Sequence, residues 1–193
     1  MRVEIRIAGF GGQGVVLAGY ILGKAFAVYE GLEAVMTQSY GPEARGGSSS
    51  SNVVVSDEPI DYPFVLEPDV LILLSQEAYT RFRPTAKPDA LVIIEEDLVQ
   101  PWPEDRPLGI PATRLAEELG RRIVANMVVL GFLAGVWGQV RPESVEKAIE
   151  TTLAPRLVPL NRKAFAAGYE YARTRFPSFR GAVPLESPEE RPR

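Results

Sequence analysis

Residues 7–16 read Ile-Ala-Gly-Phe-Gly-Gly-Gln-Gly-Val-Val and carry four glycines within six positions. Charged and apolar residues alternate over 3–7, as they do in a strand, and from Val15 apolar residues recur at helical spacing up to Gly31. The segment therefore predicts a strand, a glycine turn and a helix, in the order that opens a Rossmann-like fold.

The rest of the chain alternates predicted strands with predicted helices. Unbroken apolar runs at 70–74 and 90–94 are typical of central parallel strands that are covered on both faces. Further strands are predicted at 34–37, 52–56 and 108–111, and helices at 77–82, 113–119, 123–137, 142–152 and 160–176. This alternation predicts an α/β fold: a three-layer α/β/α sandwich, Rossmann-like, with a mostly parallel sheet and residues 53–56 as an antiparallel edge strand.

We predict a single α/β domain over residues 1–176. The tail, residues 177–193, has four prolines and no helical stripe, so it is predicted to be either flexible or packed along a partner.

Composition excludes several classes of site. The chain has 193 residues, a formal net charge of −4 and scattered basic residues, which argues against binding to nucleic acid. It has no cysteine and therefore holds no thiolate-ligated iron–sulfur cluster, and it has no histidine for acid–base chemistry. The N-terminus lacks the apolar segment of a signal peptide, and the apolar stretch 123–137 is shorter than the roughly 20 residues of a membrane helix. A cytoplasmic protein without a membrane partner is expected.

The glycine loop fits only part of a dinucleotide fingerprint. Gly9, Gly11 and Gly14 satisfy G-x-G-x-x-G, but the acid that would bind a ribose about 20 residues later is missing, since 35–39 reads VMTQS. The loop also lacks the Lys-Ser/Thr ending of a P-loop, so NAD and ATP are both disfavoured. One interpretation is that the glycines only let strand and helix pack closely. Gln13 favours another, in which the loop presents backbone amides and one carboxamide to something outside the chain.

A second loop, residues 39–47, reads SYGPEARGG and runs into four serines. By position it leaves the carboxyl end of a strand near the first one, so both loops are predicted to open on one edge of the sheet. Residues 48–51 alone would predict a flexible linker, but a Tyr, a Glu and an Arg between Gly-Pro and Gly-Gly are not linker composition. Arg45 offers a planar cation to a carboxylate or a phosphate.

With both loops in view, the sequence resembles the gamma subunits, or gamma-type domains, of 2-oxoacid:ferredoxin oxidoreductases. The matching segments are GxGGQG at 9–14, YGPEARGG at 40–47, Pro68-Asp69 before a buried strand, the apolar helix that opens at Asn126 and contains Gly131, and Asn161 followed by Ala164-Phe165 and Gly168. The resemblance extends to about residue 170, and the two loops together are its specific part.

The resemblance implies one subunit of an enzyme that converts a 2-oxoacid and coenzyme A to acyl-CoA and carbon dioxide and passes electrons to ferredoxin. Thiamine diphosphate, Mg²⁺ and iron–sulfur clusters would belong to partner chains, namely alpha and beta subunits that bind thiamine and a ferredoxin-like delta subunit. This chain has neither cysteine nor a GDG segment followed by Asn. It would then bind no cofactor or metal alone, hold no catalytic residue, and be inactive in isolation. The family includes pyruvate, 2-oxoglutarate and ketoisovalerate enzymes, and separate subunits resemble the 2-oxoglutarate type somewhat more than the pyruvate type.

The binding residues are predicted in the two loops, which would face the coenzyme A cleft shared with the thiamine-binding subunits. They are Gly9, Gly11, Gly12, Gln13, Gly14, Tyr40, Glu43, Arg45, Gly46 and Gly47. Two alternatives stay open, a stand-alone module that binds coenzyme A or a nucleotide, and a purely structural assembly subunit.

Two polar features outside the loops have simpler interpretations. Glu95-Glu96-Asp97 follows a predicted strand, and a solvated loop is favoured there over a magnesium site. Asn126 faces an otherwise apolar helix and is predicted to cap it or to serve as a buried polar anchor.

Overall fold

Six strands form one mixed sheet in this computed structural model, which describes residues 1–40 and 47–179. The strands are β1 (Arg2–Phe10), β2 (Glu33–Tyr40), β3 (Ser48–Ser56), β4 (Val70–Leu73), β5 (Leu91–Glu95) and β6 (Leu108–Ile110). The α-helices are α1 (Val15–Lys24), α2 (Gln76–Phe82), α3 (Ala112–Glu118), α4 (Ala125–Trp137), α5 (Pro142–Thr152) and α6 (Val158–Arg175). The strand order is β2-β3-β1-β4-β5-β6, with β1, β4, β5 and β6 parallel. The predicted α/β fold is confirmed.

The antiparallel edge of the sheet is confirmed as well, with one difference in its order. β3 runs antiparallel to both of its neighbours, β1 and β2, and β2 takes the outer position. Residues 53–56 therefore lie one strand inward from the edge. Because β3 is antiparallel to both of its neighbours, β1 and β2 run in the same direction.

The four serines at 48–51 are strand residues, so β3 begins before the predicted residue 52, and the flexible-linker interpretation, which the neighbouring residues already disfavour, is wrong. They form the first half of β3 and are buried. The backbone of β3 is satisfied by ladders on both sides, and the Ser51 hydroxyl donates to the carbonyl oxygen of Val15 at 2.7 Å. Small side chains that find such partners can lie under a helix at little cost in free energy.

The helices are divided unequally between the two faces of the sheet. One face and the helices α1, α3, α4, α5 and α6 share a single apolar core. The other face carries a smaller cluster, in which Ala78 and Tyr79 of α2 pack on residues of β4 and β5. The fold is thus a sandwich with one thick layer and one thin layer of helices.

Two glycines let α4 and α6 approach closely. A Cβ on Gly131 of α4 would collide with the carbonyl oxygen of Phe165, and a Cβ on Gly168 of α6 would collide with that of Val128. Close backbone contact of this kind fixes how the two helices cross, and α4 is buried along almost its whole length, as the sequence predicts. Within residues 1–40 and 47–179, no helix has both the length and the apolar character that crossing a bilayer needs.

The predicted helix boundaries agree with the structure to within a few residues. The first helix continues past α1 as a π-helical segment, Ala25–Tyr29, and Gly31 follows in the left-handed conformation with φ of 69°. Pro142 begins α5, as predicted. The tail proposed for 177–193 lies outside the described residues except for 177–179.

Candidate functional site

The first glycine loop leaves the carboxyl end of β1 and turns directly into α1. Gly12 and Gly14 have φ of 92° and 74°, a left-handed conformation that favours glycine. The carbonyl oxygen of Gly14 accepts a hydrogen bond from Asn126 Nδ2 at 3.2 Å, and a Cβ on Gly14 would collide with that side chain. Asn126 is therefore the buried polar anchor that the sequence predicts, and it fixes the start of α1 against the start of α4.

The Gln13 side chain bridges the ends of two strands, β1 and β4. Its Oε1 accepts from the amide of Phe10 at 2.6 Å, and its Nε2 donates to the carbonyl oxygen of Leu74 at 2.8 Å. Gly9 leaves room for this arrangement, because a Cβ there would collide with Gln13 Oε1. Both ends of the carboxamide are bonded within the chain, so Gln13 ties the loop to the end of β4. Gln13 is also only half-buried and lines the pocket described below, so its contact with something outside the chain stays a prediction.

The two glycine-rich loops meet at the same edge of the sheet. The amide of Gly11 donates to the carbonyl oxygen of Gly47 at 3.1 Å. The strand register also places Phe10 opposite Ser48 and Tyr40 opposite Ser49, so β1 and β2 end side by side with the start of β3 between them. The prediction that both loops open on one edge is therefore correct.

The structure describes the two ends of the second loop, Tyr40 and Gly47. Tyr40 is exposed at the end of β2, and Gly47 contacts the first loop. Glu43, Arg45 and Gly46 lie outside the described residues.

A pocket of about 270 Å³ lies on the other side of the first loop, at the carboxyl ends of β4 and β5. It is lined by Gly12, Gln13, Leu74, Glu95, Ala112, Thr113, Arg122, Ile123, Ala125 and Val129. Most of its wall is apolar, with a carboxyl group and a guanidinium group as its charged members. Open α/β sheets bind ligands in this position, outside the carboxyl ends of the strands.

Glu95 is the buried acid of this pocket and is 2% exposed. Its Oε2 accepts from the amide and the hydroxyl of Thr113 at 2.7 and 3.0 Å, and its Oε1 accepts from the amide of Asp97 at 3.2 Å. Burial raises the pKa of Glu95, and these hydrogen bonds oppose the rise. The carboxyl group caps α3, where Pro111 at the cap position has no side-chain hydrogen bond.

The solvated-loop interpretation of 95–97 is correct for Glu96 and Asp97, which are exposed, and wrong for Glu95. The signal was present in the sequence, since Glu95 ends the unbroken apolar run of a buried strand. Among the residues that the structure describes, no group of three or more acidic side chains is placed to hold a metal ion.

Arg122 supplies a cation at the pocket beside the first loop. It lies in the short 3-10 helix Arg122–Val124, just before α4, and is exposed. No carboxylate of residues 1–40 or 47–179 forms an ion pair with it. Sequence reasoning missed Arg122, because nothing in the local pattern brings it next to a loop more than 100 residues earlier.

The fold and the site define an open α/β protein whose glycine loop lies at a crevice without the acid of a dinucleotide site. A family model described as pyruvate ferredoxin/flavodoxin oxidoreductase matches residues 4–171. The chain belongs to this family.

Similar proteins of known type agree with the family resemblance that was based on the two glycine-rich loops. The chain is 51% identical over 178 residues to the 2-oxoglutarate synthase subunit KorC of Methanocaldococcus jannaschii, covering 90% of this chain and 95% of that one. It is 49% identical over 179 residues to KorC of Methanothermobacter marburgensis, covering 88% and 96%. Among solved structures, the gamma subunit of a keto/oxoacid ferredoxin oxidoreductase from Geobacter sulfurreducens aligns with a TM-score of 0.82 at 40% identity, covering 90% of this chain and 98% of that one. The predicted membership of the gamma type is confirmed.

Proposed function

We propose that the chain is the gamma subunit of a 2-oxoglutarate:ferredoxin oxidoreductase, in which it forms one wall of the coenzyme A cleft. The enzyme would convert 2-oxoglutarate, coenzyme A and oxidised ferredoxin to succinyl-CoA, carbon dioxide and reduced ferredoxin. The choice of 2-oxoglutarate is supported by two relatives that share about half of their residues with the chain and are both named for that substrate.

The proposal divides the chemistry between subunits. Thiamine diphosphate with Mg²⁺ on alpha and beta subunits would supply the decarboxylation, and iron–sulfur clusters there and on a delta subunit would carry the electrons. A chain without cysteine cannot ligate such clusters through thiolates, which supports this division. The cytoplasmic location expected from the sequence stays a prediction.

The hydrogen bond from Gly11 to Gly47 is the observation that carries the cleft assignment. It joins the first loop to Gly47, the end of the second loop, at the carboxyl end of β1, although α1 and β2 lie between the two glycines in the sequence. Backbone amides there and the cation of Arg122 suit a ligand that carries phosphates on a long, partly apolar arm. Coenzyme A is such a ligand.

The test is charge reversal in the reconstituted enzyme. Arg45→Glu and Arg122→Glu are each combined with the partner subunits, and 2-oxoglutarate-dependent reduction of ferredoxin is measured against the concentration of coenzyme A. We expect the KM for coenzyme A to rise about 10-fold or more, which is the effect of losing one charge-assisted contact of roughly 1.5–3 kcal/mol. Arg173→Glu, an exposed arginine in the last turn of α6, is the matched control.

Two results would contradict the proposal. One is a KM for coenzyme A, turnover and subunit association that all stay unchanged in both variants. The other is an isolated chain that stays monomeric, binds NAD or coenzyme A tightly and does not associate with thiamine-binding partners, because this would identify a stand-alone binding module.

A further inference from the structure

The connection between β3 and β4 exposes three large apolar side chains at alternate positions. Tyr62, Phe64 and Leu66 are 50%, 53% and 63% exposed, whereas Val65 between them is buried. The rings of Tyr62 and Phe64 meet edge to face, with centroids 5.4 Å apart. We call these three side chains the 62–66 patch.

Charged side chains of β1 hold the backbone of this segment in place. Arg2 donates to the carbonyl oxygens of Tyr62 and Phe64 at 2.8 and 3.2 Å, and Arg6 donates to that of Val65 at 2.7 Å. Glu4 Oε2 accepts from the amides of Leu66 and Glu67 at 3.0 and 3.3 Å. Arg2, Glu4 and Arg6 alternate along β1, so the segment lies across one face of that strand.

The chain therefore fixes a segment that buries little apolar surface of its own. Ordering a residue costs about 1–2 kcal/mol of backbone entropy. Val65 is the large side chain that the segment buries in return, while about half of the surface of Tyr62 and of Phe64 stays exposed to water. A rigid patch of exposed aromatic residues is the feature that distinguishes the centre of a protein interface from ordinary surface.

The surroundings of the 62–66 patch are acidic. Glu58, Asp61 and Glu67 are exposed, and none of them forms an ion pair with another described residue. Glu58 and Asp61 line, together with Tyr62, an open hollow of about 400 Å³ next to the patch. Of the positive groups nearby, the amino terminus is paired with Asp57 and Arg2 with Glu4. The third, Arg6, is half-buried beneath the segment and donates to the carbonyl oxygen of Val65.

The charge identifies the kind of occupant. A second copy of this chain in a two-fold dimer would place the same acids against each other, which is repulsive. A different chain with an apolar centre and a rim of lysine or arginine is complementary in both respects.

We propose that the 62–66 patch docks another subunit of the same enzyme through such a basic-rimmed apolar surface. The inference rests on the proposed function, because it requires partner subunits. It adds a second contact that is separate from the glycine-rich loops: Arg2 and Glu4 begin β1 and the loops follow its end, about 25 Å away at roughly 3.3 Å per strand residue. The chain then contacts its partners at both ends of β1.

The experiment measures assembly of the full chain with the purified alpha–beta pair and, separately, with the delta subunit. The triple variant Tyr62→Ser, Phe64→Ser, Leu66→Ser should weaken one of these associations about 100-fold, since central aromatic residues dominate interface affinity. The changed side chains are exposed, so the thermal unfolding midpoint should stay close to that of the wild type. Val28→Ser, which changes an exposed apolar residue elsewhere, is the matched control.

Charge reversal provides a second, independent measurement. Glu58→Lys, Asp61→Lys and Glu67→Lys together keep the apolar side chains and should weaken the same association at low salt, with a smaller effect at 0.5 M salt because screening shortens the range of the charges. The KM for coenzyme A of the assembled enzyme should stay unchanged in both variants, which separates this surface from the cleft.

The outcomes distinguish the inference from the proposed function. If the wild-type chain and the triple variant assemble equally well with both partners, the inference is wrong and the proposed function stands. If the wild-type chain assembles with neither partner, both fail. Self-association of the isolated chain that the triple variant abolishes would identify a second copy as the occupant and would also overturn the inference.

Discussion

The substitution Gln13→Glu replaces the side-chain amide nitrogen with an oxygen and should break the bridge that Gln13 makes between Phe10 and Leu74. An oxygen can still accept from the amide of Phe10, as Oε1 does now at 2.6 Å. At the other end an oxygen replaces the amide nitrogen that donates to Leu74 at 2.8 Å, so two acceptors face each other. Loss of the hydrogen bond and an unsatisfied carbonyl of a buried residue together destabilise the fold by about 2–3 kcal/mol.

For a chain of this length, that free energy lowers the thermal midpoint by about 4–12 °C at pH 7. The loss should diminish in acid. Repulsion from the Leu74 carbonyl raises the pKa of the introduced carboxyl group in the folded state above its unfolded value of about 4.3. A group with a raised folded pKa contributes stability that is fully present below the unfolded pKa and is lost as the pH rises through the folded pKa. The protonated carboxyl group can again donate to Leu74.

The assay is urea unfolding of wild type and variant at several values of pH between 4 and 7.5, followed by circular dichroism. Gln100→Glu, an exposed glutamine, is the control for the added charge. A variant that unfolds at the wild-type urea concentration at pH 7, or one whose deficit does not shrink in acid, would refute the bridge. In the reconstituted enzyme we also expect a higher KM for coenzyme A, because the loop loses its tie to β4.

Two further predictions concern the packing of α4 and the cap of α3. Gly131→Ala should destabilise the chain by about 3 kcal/mol in urea unfolding, because the new Cβ collides with a backbone carbonyl oxygen. Gly23→Ala in α1 is the control, since the nearest atom there is 3.7 Å from the new Cβ. This change should be neutral or stabilising by up to about 1 kcal/mol. Equal effects of the two changes would contradict the close helix contact. Burial raises the folded pKa of Glu95 above the ordinary 4.5, so the stability that this group contributes is present at low pH and is lost as the pH rises through the folded pKa. The free-energy advantage of the wild type over Glu95→Gln should therefore shrink as the pH is raised from about 4.5. A difference that does not depend on pH would show that Glu95 is not buried as an acid.

The sequence predicts those parts of the molecule that depend on local pattern. Periodicity located all six strands and the helices, and the G-x-G-x-x-G spacing located the first turn. The two loops could be assigned to one edge, because strand direction follows from alternation in an α/β chain. Each of these inferences needs only residues that are close in sequence.

The parts that were missed depend on contacts between distant residues. Gln13 finds its second partner at Leu74, and Glu95 caps α3 through Thr113, which lies 18 residues after it. The four serines at 48–51 have linker composition, and only pairing with two other strands makes them a buried strand. The 62–66 patch is likewise invisible in the sequence, since an apolar residue in a loop carries no sign of whether it is buried.

The strand order also explains why the dinucleotide fingerprint is incomplete. In a dinucleotide site the second strand lies beside the first, and an acid at its end reaches the ribose of a nucleotide held on the glycine loop. Here β3 lies between β1 and β2, so the end of β2 is two strand spacings away from β1, about 9.5 Å where a dinucleotide site has about 4.8 Å. An acid placed at Ser39 or Tyr40 would therefore be too far away to take that role. The start of β3 occupies the position next to the first loop, and the hydrogen bond from Gly11 to Gly47 holds the two segments together there. The position of β3 between β1 and β2 thus removes the ribose site and also brings the end of the second glycine-rich loop to the first. This arrangement favours a ligand that contacts both loops over a ligand that extends along β2.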